Sequence, residues 1–350
     1  MDQDVLIIGS GQTGVRLAAI FRDKYQYPKE NCLLFNTNND DDVKNLVILH
    51  NRHGFDGSGR NPMFTLETIM PQNEPMLRET VPPKLKKNNK IILFNAVSGG
   101  SGSAINYWLL KEILIPYSKQ QRKLDIVSVV VFPLKFEGNP AISNSLAMLN
   151  MYYSLSSYIS ILPVENQKVF YSAKGQNTFE ATNDYLTEIV FKSVNHQYFL
   201  GTPKPDGIGT LDKKEVSRIL EPANGFLGYA EVDPEKLSKI ENPLADFDIR
   251  TCKKLIIMIR TPKNKSLDLE LLNEFDRLFP EQVKIFSESY SEEDKITIDI
   301  LANGMDVPPK YQEGITSTVE KIEHHKEVKK EAKKSNKETV RAAGKKLFKI

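Results

Sequence analysis

Residues 95–106 (NAVSGGSGSAIN) decide which fold this chain is predicted to adopt, because a strand-like and a helix-like pattern meet in them. The apolar run KIILFNAV leads into this stretch, every position from 98 to 103 is Gly or Ser, and the helix-like pattern AINYWLLKEIL follows. A strand, a Gly/Ser turn and a helix in that order direct backbone N–H groups and a helix N-terminus toward an anion. The stretch therefore predicts an anion-binding loop at the end of a buried strand.

Three further apolar runs also end in polar or glycine-containing segments. They are DVLIIGSGQTG (4–14), NCLLFNTNNDD (31–41) and LDIVSVVVFPL (124–134). Helix-like segments separate these runs, which is typical of a parallel sheet covered by helices on both faces. The predicted fold class is therefore α/β, with a Rossmann-like parallel sheet in the N-terminal domain. In such sheets the ligand lies at the carboxyl ends of the strands, where all of these loops are expected.

The second half of the chain predicts a long helix and then a smaller α+β unit. Apolar residues of NTFEATNDYLTEIVFKSV (177–194) recur at helical spacing, and KKLIIMIR, VKIFSES and KITIDILA have the pattern of strands, with a helix near 267–279 between the first two. We expect a nucleotide-type domain at 1–175, a central linking helix at 176–202, an α+β domain at 203–305 and a basic helical tail at 306–350.

Composition excludes several classes of protein. The chain is 40% hydrophobic and 26% charged, as in ordinary globular proteins, and no apolar run approaches the roughly 18 residues of a membrane helix. Its two cysteines, Cys32 and Cys252, lie far apart and no signal-peptide pattern is present, so we expect buried thiols and a reducing, cytoplasmic location rather than a disulfide scaffold.

The charge is concentrated at the C-terminus. Residues 321–350 contain 11 Lys or Arg and four Glu, a net charge of +7, which leaves −5 for residues 1–320 of a chain whose total is +2. Such a tail is more often a solvated helix or a disordered extension than a binding element, and its functional interpretation is attraction to an anionic partner. Phe348 is its one aromatic residue and it has no base-reading motif, so we expect no direct sequence-specific DNA binding.

The first glycine loop leaves two ligands open. GSGQTG (9–14) satisfies the dinucleotide fingerprint, and taken alone it is about equally compatible with NAD and with a tight strand-to-helix turn that binds no ligand. The second strand ends in Asn36 rather than in the acidic residue that NAD binding favours, although Asp40, Asp41 and Asp42 follow. A second glycine loop at 98–103 favours a triphosphate held from both sides. Neither loop is a Walker A motif, because no Lys-Ser or Lys-Thr pair follows the glycines.

Eight motifs occur in an order and spacing similar to the loops of the tubulin/FtsZ superfamily. They are GQTGVRLA (11–18), FNTNNDD (35–41), GSGRNP (57–62), SGGSGSA (98–104), FPLKFEG (132–138), VENQ (164–167), ATND (181–184) and GIGTLDKKEV (207–216). The resemblance covers residues 5–305. The element Arg60-Asn61-Pro62, the short length and the basic tail most resemble the TubZ family of plasmid- and phage-encoded partitioning tubulins.

The resemblance implies a site for GTP or GDP with Mg²⁺. The implied phosphate-side residues are Gly11, Gln12, Thr13, Asn38, Gly59, Arg60, Asn61, Gly99, Gly100, Ser101, Gly102 and Ser103. Glu137 matches the acid that contacts the ribose, and Asn166 and Asn183 match the asparagines that read guanine. The resemblance implies no direct protein ligand for Mg²⁺, which phosphates and waters would hold near Gln12 and Asp212.

Asp212 and Glu215 are the candidate catalytic pair. From spacing alone, LDKKE (211–215) is best explained as the N-terminal cap of a helix with solvated charges. The resemblance instead implies that these two carboxylates polarise the water that attacks the γ-phosphate bound to the next subunit.

The implied function is a GTPase that assembles head to tail into cytomotive filaments for plasmid or phage-plasmid DNA partitioning in a bacterial cytoplasm. The tail would engage a TubR-like DNA-binding adaptor at a centromere, and no membrane partner is expected. Three alternatives remain open: a phage tubulin that positions virus particles or DNA, a NAD-dependent oxidoreductase, and a monomeric nucleotide-binding regulatory module.

Overall fold

The apolar runs form strands of one ten-stranded sheet in the computed structural model, which describes residues 4–39, 43–51, 57–172, 179–202, 204 and 207–312. The strands are β1 (Val5–Ser10), β2 (Cys32–Asn36), β3 (Leu46–Ile48), β4 (Lys90–Ala96), β5 (Asp125–Phe132), β6 (Ser160–Glu165), β7 (Phe226–Val232), β8 (Lys254–Pro262), β9 (Val283–Ser291) and β10 (Thr297–Met305). Their order across the sheet is β3-β2-β1-β4-β5-β6-β7-β10-β8-β9. All neighbours are parallel except β10, which runs antiparallel to both β7 and β8.

Helices cover both faces of this sheet. They are α1 (Gly11–Lys24), α2 (Pro62–Phe64), α3 (Met70–Leu85), α4 (Ser101–Leu109), α5 (Ile115–Gln120), α6 (Asn139–Tyr153), α7 (Asn166–Ser172), α8 (Phe179–Val194), α9 (His196–Leu200), α10 (Lys213–Leu220) and α11 (Leu269–Leu278). Single π-helical turns, Thr65–Ile69 and Leu110–Leu114, join α2 to α3 and α4 to α5. Within the described residues no helix is long and apolar enough to span a membrane.

The apolar runs are continuous because both faces of the strands are buried. In β1, Leu6 and Ile8 belong to one buried cluster, which includes Ile105 of α4, whereas Val5 and Ile7 belong to a second cluster, which includes Phe21 of α1. Successive side chains of a strand point to opposite faces, so a doubly covered strand needs an apolar residue at every position. The predicted α/β class with an N-terminal parallel sheet is confirmed.

The segment predicted as one linking helix contains two helices, α8 and α9, which are separated at Asn195. The Asn195 carbonyl accepts a hydrogen bond from the Tyr198 N–H at 3.1 Å, a three-residue closure that is tighter than the α-helical one. Residues 176–178 of this segment and the basic tail from residue 313 lie outside the described residues.

Both cysteines are buried free thiols, as predicted. Burial raises the pKa of Cys32 to about 11 and that of Cys252 to about 12. Because the thiolate is the reactive form of cysteine, neither side chain is suited to nucleophilic chemistry near neutral pH.

Candidate functional site

Loops that follow neighbouring parallel strands meet at one edge of the sheet, which we call the carboxyl edge. Gly9 of β1 is in register with Leu34 of β2 and with Phe94 of β4, so the loops after these strands start side by side. They enclose a cavity of about 350 Å³. Its walls are the first loop (10–13), the end of β2 (36–38), the second loop (96–102) and the third loop (57–60), together with Glu137.

The first and second loops touch through their backbones. A Cβ atom on Gly102 would lie 2.5 Å from the Ser10 carbonyl oxygen, and one on Gly11 would lie 2.7 Å from the Gly102 Cα. Gly11 also has a φ of +67°, a conformation that glycine adopts without strain. The glycines at these two positions therefore allow the two loops to close on one another.

The third loop contacts the second through a close backbone approach and through side-chain hydroxyl groups. A Cβ atom on Gly100 would lie 2.5 Å from the Asn61 N atom. The Ser101 hydroxyl donates to Ser58 Oγ at 3.0 Å and lies 2.6 Å from Thr37 Oγ1. These contacts draw the end of β2 and the second and third loops into one wall of the cavity.

Two helices begin at the cavity without a side-chain cap. The residue before α1 is Ser10, whose hydroxyl donates to Asn106 Oδ1 at 2.6 Å instead of capping the helix, and the residue before α4 is Gly100, which has no side chain. Neither first turn contains an acidic residue. The first N–H groups of both helices, with their positive dipole ends, are therefore available to an anion in the cavity.

Most predicted nucleotide-binding residues line this cavity, and four do not. Lining residues from the prediction are Gly11, Gln12, Thr13, Asn38, Gly59, Arg60, Gly99, Gly100, Ser101, Gly102 and Glu137. The Asn61 side chain instead caps α2, since its Oδ1 accepts from the Phe64 N–H at 3.0 Å. The Ser103 hydroxyl is buried and donates to the Gly99 carbonyl at 2.8 Å. Asn166 and Asn183 also lie outside the lining.

Sequence reasoning missed some polar side chains at the site. Thr37 lies in the motif FNTNNDD, beside the asparagine that ends β2, and Ser58 lies in GSGRNP, between two glycines. Each hydroxyl residue could have been identified from its position in the motif. Asn144 of α6 was not predictable from the sequence. Its amide donates to the Arg60 carbonyl at 2.7 Å and to the Ser98 carbonyl at 3.3 Å, across 84 and 46 residues.

Asn166 begins α7, directly after β6 ends at the carboxyl edge. The next residue, Gln167, accepts a hydrogen bond from the Lys135 N–H at 3.2 Å, and this bond ties α7 to the turn that carries Glu137. The Glu137 carboxylate in turn accepts from the Leu134 N–H at 2.8 Å. The ribose and base candidates Glu137 and Asn166 thus belong to two segments that are joined directly.

Asn183 lies on α8, whose other end reaches the opposite edge of the sheet. Lys90, the first residue of β4, donates a hydrogen bond to the Val194 carbonyl at the end of α8. At 1.5 Å per residue, Asn183 is about 16 Å along the helix axis from that point. The next residue, Asp184, pairs with Lys24 at the end of α1, at 2.7 Å.

Asp212 and Glu215 form a reciprocal cap at the start of α10. Asp212 Oδ1 accepts from the Glu215 N–H at 2.8 Å, and Glu215 Oε2 accepts from the Asp212 N–H at 2.9 Å. This is the capping role that spacing alone predicts, and it fixes both carboxylates at one helix end. The Asp212 side chain is exposed, and Glu215 is partly exposed.

This acidic pair lies toward the edge opposite the cavity, which we call the amino edge. Two residues of α10, Lys213 and Ser217, share a cleft of about 320 Å³ with Asp4 and Asn89, which immediately precede β1 and β4. Because β1 spans six residues, the two edges are about 20 Å apart at 3.3 Å per residue. The carboxylates of one chain therefore do not reach a ligand in that chain's own cavity.

The fold is that of tubulin/FtsZ superfamily proteins. A GTPγS-form protofilament of Bacillus thuringiensis serovar israelensis TubZ matches with a TM-score of 0.68 and 16% identity, covering 94% of each chain. The GDP-bound CetZ1 monomer from Haloferax volcanii matches with a TM-score of 0.66 and 13% identity, over 91% of this chain and 99% of that one. An FtsZ dimer of M. jannaschii matches with a TM-score of 0.58 and 18% identity, over 87% of this chain and 89% of that one.

No family model matches this sequence, and no curated protein matches it either. The similarity is therefore one of structure. The motif-based prediction of a tubulin/FtsZ-type architecture with similarity to TubZ is confirmed at the level of the fold.

Proposed function

We propose that this chain binds GTP in the cavity at the carboxyl edge, hydrolyses it to GDP and phosphate, and assembles head to tail into filaments. The observation that carries the proposal is the pair of uncapped helix N-termini, those of α1 and α4, which open into one cavity together with the three loops. Structures with the same fold include a GTPγS-form TubZ protofilament and a GDP-bound CetZ1.

The arrangement suits a polyphosphate gripped from two sides. In the part of the chain that the structure describes, no atom other than those of its chain neighbours lies within 4 Å of the Cβ position of Gly99, so the backbone there is open to a ligand. Among the described residues that line the cavity, Arg60 is the one cation, and it is exposed. A dinucleotide such as NAD would need only the first loop. The second loop, which lines the same cavity, would then have no role.

The described residues at this site fit Mg²⁺ as an ion carried by the nucleotide. The cavity lining offers amide and hydroxyl oxygens and one carboxylate, that of Glu137, and no group of three or more His, Cys, Asp or Glu gathers among the described residues. Mg²⁺ characteristically keeps several waters and binds substrate phosphates. We assign Gln12 to the phosphates and the hydrated ion, Glu137 to the ribose, and Asn166 and Asn183 to the guanine base.

Hydrolysis requires a second copy of the chain. Asp212 and Glu215 are held rigidly by their reciprocal cap at the amino edge, about 20 Å from their own cavity. A head-to-tail contact places this pair at the mouth of the neighbour's cavity, where the two acids orient and polarise the attacking water. Such a heterologous contact generates a filament unless it closes into a ring.

The biological setting that we propose is DNA partitioning by a plasmid or a phage plasmid in a bacterial host, with the basic tail engaging a DNA-binding adaptor of the TubR type. The TubZ-like fold and the +7 charge of residues 321–350 support it. Deleting residues 321–350 is expected to leave assembly intact and abolish recruitment to the adaptor–DNA complex. Retained recruitment would contradict this role and favour a phage tubulin with a different cargo.

The proposal is tested by GTPase activity per molecule across a protein dilution series, with light scattering in GTP, GDP and NAD. We expect specific activity to rise above a threshold concentration and scattering to appear with GTP. Specific activity that stays flat while GTP is hydrolysed would exclude the shared site. Binding of GTP without scattering at any concentration would favour a monomeric regulatory module.

A further inference from the structure

The segment after β10 is fastened to the residue that precedes Asn166. Tyr311 donates its hydroxyl hydrogen to Glu165 Oε1 at 2.7 Å, and Lys310 Nζ lies 2.8 Å from the same oxygen. The Glu165 side chain is only 12% exposed, and Asn166 follows it directly in the chain. We call Lys310 and Tyr311 the clasp.

The clasp also contacts the strand that leads into the Glu137 turn. The Tyr311 ring centroid lies 5.0 Å from that of Phe132, the last residue of β5, and 5.7 Å from that of Phe247. The turn beyond Phe132 is tied to α7 through the Lys135–Gln167 hydrogen bond. Tyr311 therefore contacts the residues that lead into both segments of the proposed site. These are Phe132, before the turn that carries Glu137, and Glu165, before Asn166.

Lys310 of the clasp forms ion pairs with Glu165 and Asp246. Asp246 lies between two lysines, with Oδ1 2.8 Å from Lys168 Nζ and Oδ2 3.2 Å from Lys310 Nζ, and the hydrogen bond from Lys168 holds its pKa below the ordinary value. Burial, with the adjacent Glu165 charge, raises the pKa of Tyr311. Tyr311 therefore stays a protonated hydrogen-bond donor near neutral pH.

We propose that Lys310 and Tyr311 are positioning residues that hold Glu165, and through it Asn166, in the geometry that selects guanine. The inference rests on the proposed function, because it concerns the base end of the same nucleotide site. It makes base selectivity depend on the first residues of the predicted tail (306–350), which precede the strongly basic residues 321–350. The phosphate end of the site, formed by the three loops, has no contact with the clasp among the hydrogen bonds of the described residues.

The test uses the full chain below its assembly threshold and measures the Kd of GTP, ATP and inorganic tripolyphosphate by calorimetry. The variants are Tyr311→Phe, which keeps the ring and removes the donor, and the double variant Lys310→Met/Tyr311→Phe. A matched control is Lys119→Met/Tyr158→Phe, which removes the same groups from a surface pair in which Lys119 Nζ lies 3.7 Å from the Tyr158 ring centroid.

We expect the double variant to bind GTP about tenfold more weakly, the scale of lost hydrogen bonds to a charged group, with Tyr311→Phe intermediate. Tripolyphosphate and ATP affinities should stay unchanged, as should every affinity of the control. An unchanged GTP-to-ATP ratio in the double variant, or equal losses for GTP and tripolyphosphate, would overturn the clasp alone. A wild-type chain without preference for GTP over ATP would overturn the proposed function and the clasp with it.

Discussion

Gly102 shows how a single residue controls the approach of two loops. As the second residue of α4 it lies where Ala is normally the better helix former by about 1 kcal/mol. The Cβ of an alanine would nevertheless lie 2.5 Å from the Ser10 carbonyl oxygen, a backbone atom that cannot rotate away. Overpacking against backbone outweighs helix propensity at this position.

We therefore expect Gly102→Ala to lower the free energy of unfolding of the ligand-free protein by about 1–3 kcal/mol. Gly99→Ala is the comparison within the same loop. A Cβ at Gly99 has no neighbour within 4 Å among the described residues, so we expect the free energy of unfolding to change by no more than about 0.5 kcal/mol. Urea unfolding of both variants checks the prediction, and equal stabilities would show that the two loops do not close as tightly as described.

Glu215 has a structural role as a helix cap, and we propose a catalytic role for the same side chain. Its carboxylate oxygen accepts the Asp212 N–H bond, and the amide oxygen of glutamine serves a reciprocal cap equally well. Glu215→Gln should therefore keep α10 and GTP binding while hydrolysis falls by about 10²-fold, the lower end of what general-base catalysis contributes. Filaments of this variant should persist longer.

The measurement for Glu215→Gln is phosphate release together with sedimentation of filaments. Glu270→Gln is the matched control, because Glu270 is an exposed acid in the first turn of a different helix, α11, and is not among the residues that line the cavity. Normal turnover by Glu215→Gln in assembled protein would show that the carboxylate serves only as a cap.

At the scale of elements, the loop that presents the acidic pair is anchored by a buried ion pair. Lys204 Nζ lies 3.0 Å from Glu288 Oε1 of β9, and the two side chains are 7% and 2% exposed. Glu288 Oε2 also accepts the Ile208 N–H at 3.2 Å, and the Glu288 N–H donates to the Gly209 carbonyl at 2.9 Å. The start of α10 is thereby tied to a strand at the far end of the sheet.

Lys204→Met should lower the free energy of unfolding by about 3–5 kcal/mol, because it leaves a buried carboxylate without its cation. The double variant Lys204→Met/Glu288→Gln should recover most of this loss, since no buried charge then remains. Arg277→Met is the control. It breaks an exposed pair with Glu270, and such pairs contribute at most about 1 kcal/mol. Denaturant unfolding of all three variants measures these free energies. A double variant less stable than Lys204→Met would contradict the assignment of a buried ion pair.

The elements that sequence reasoning predicted are those whose pattern is set by burial on both faces. β1, β2, β4 and β5 are all present as predicted, as are β8, β9 and β10. Sequence reasoning did not predict β7, because Gly228 within it is typical of a turn. The structure shows that Met305 Cε would lie 2.5 Å from a Cβ at that position, so the glycine accommodates a partner from β10. α3 was also missed, since Pro75, Pro82 and Pro83 interrupt its pattern.

For the site, the sequence predicted the loops better than the roles of individual side chains. Asn61 was assigned to the phosphate side through its motif, but its side chain caps α2, a use that depends on where the helix begins. Asn144 was not assigned, because the carbonyls that it joins lie on the second and third loops. Such contacts depend on tertiary packing and leave no local periodicity in the sequence.

At the scale of the whole molecule, the two halves of the proposed active site face in opposite directions. Exposed apolar side chains occur near both. Phe136, next to Glu137 of the cavity lining, is 77% exposed, and Ile208, in the loop that leads to Asp212, is 41% exposed. Aromatic residues, Phe included, are enriched at the buried cores of protein interfaces relative to the rest of the surface. Both surfaces are therefore expected to be covered when one copy stacks on the next.

Phe136→Ser is the variant that tests this stacking. Because the side chain points into solvent, its loss should leave the GTP affinity of the monomer unchanged, whereas the critical concentration for assembly should rise about tenfold or more, as expected for an interfacial aromatic anchor. Leu269→Ser is the control. Leu269 is 65% exposed and lies on α11, which connects β8 to β9. Sedimentation across a concentration series measures both thresholds. An unchanged threshold for Phe136→Ser would place the longitudinal contact elsewhere on the molecule, whereas a raised threshold with normal GTP affinity would assign this residue to assembly.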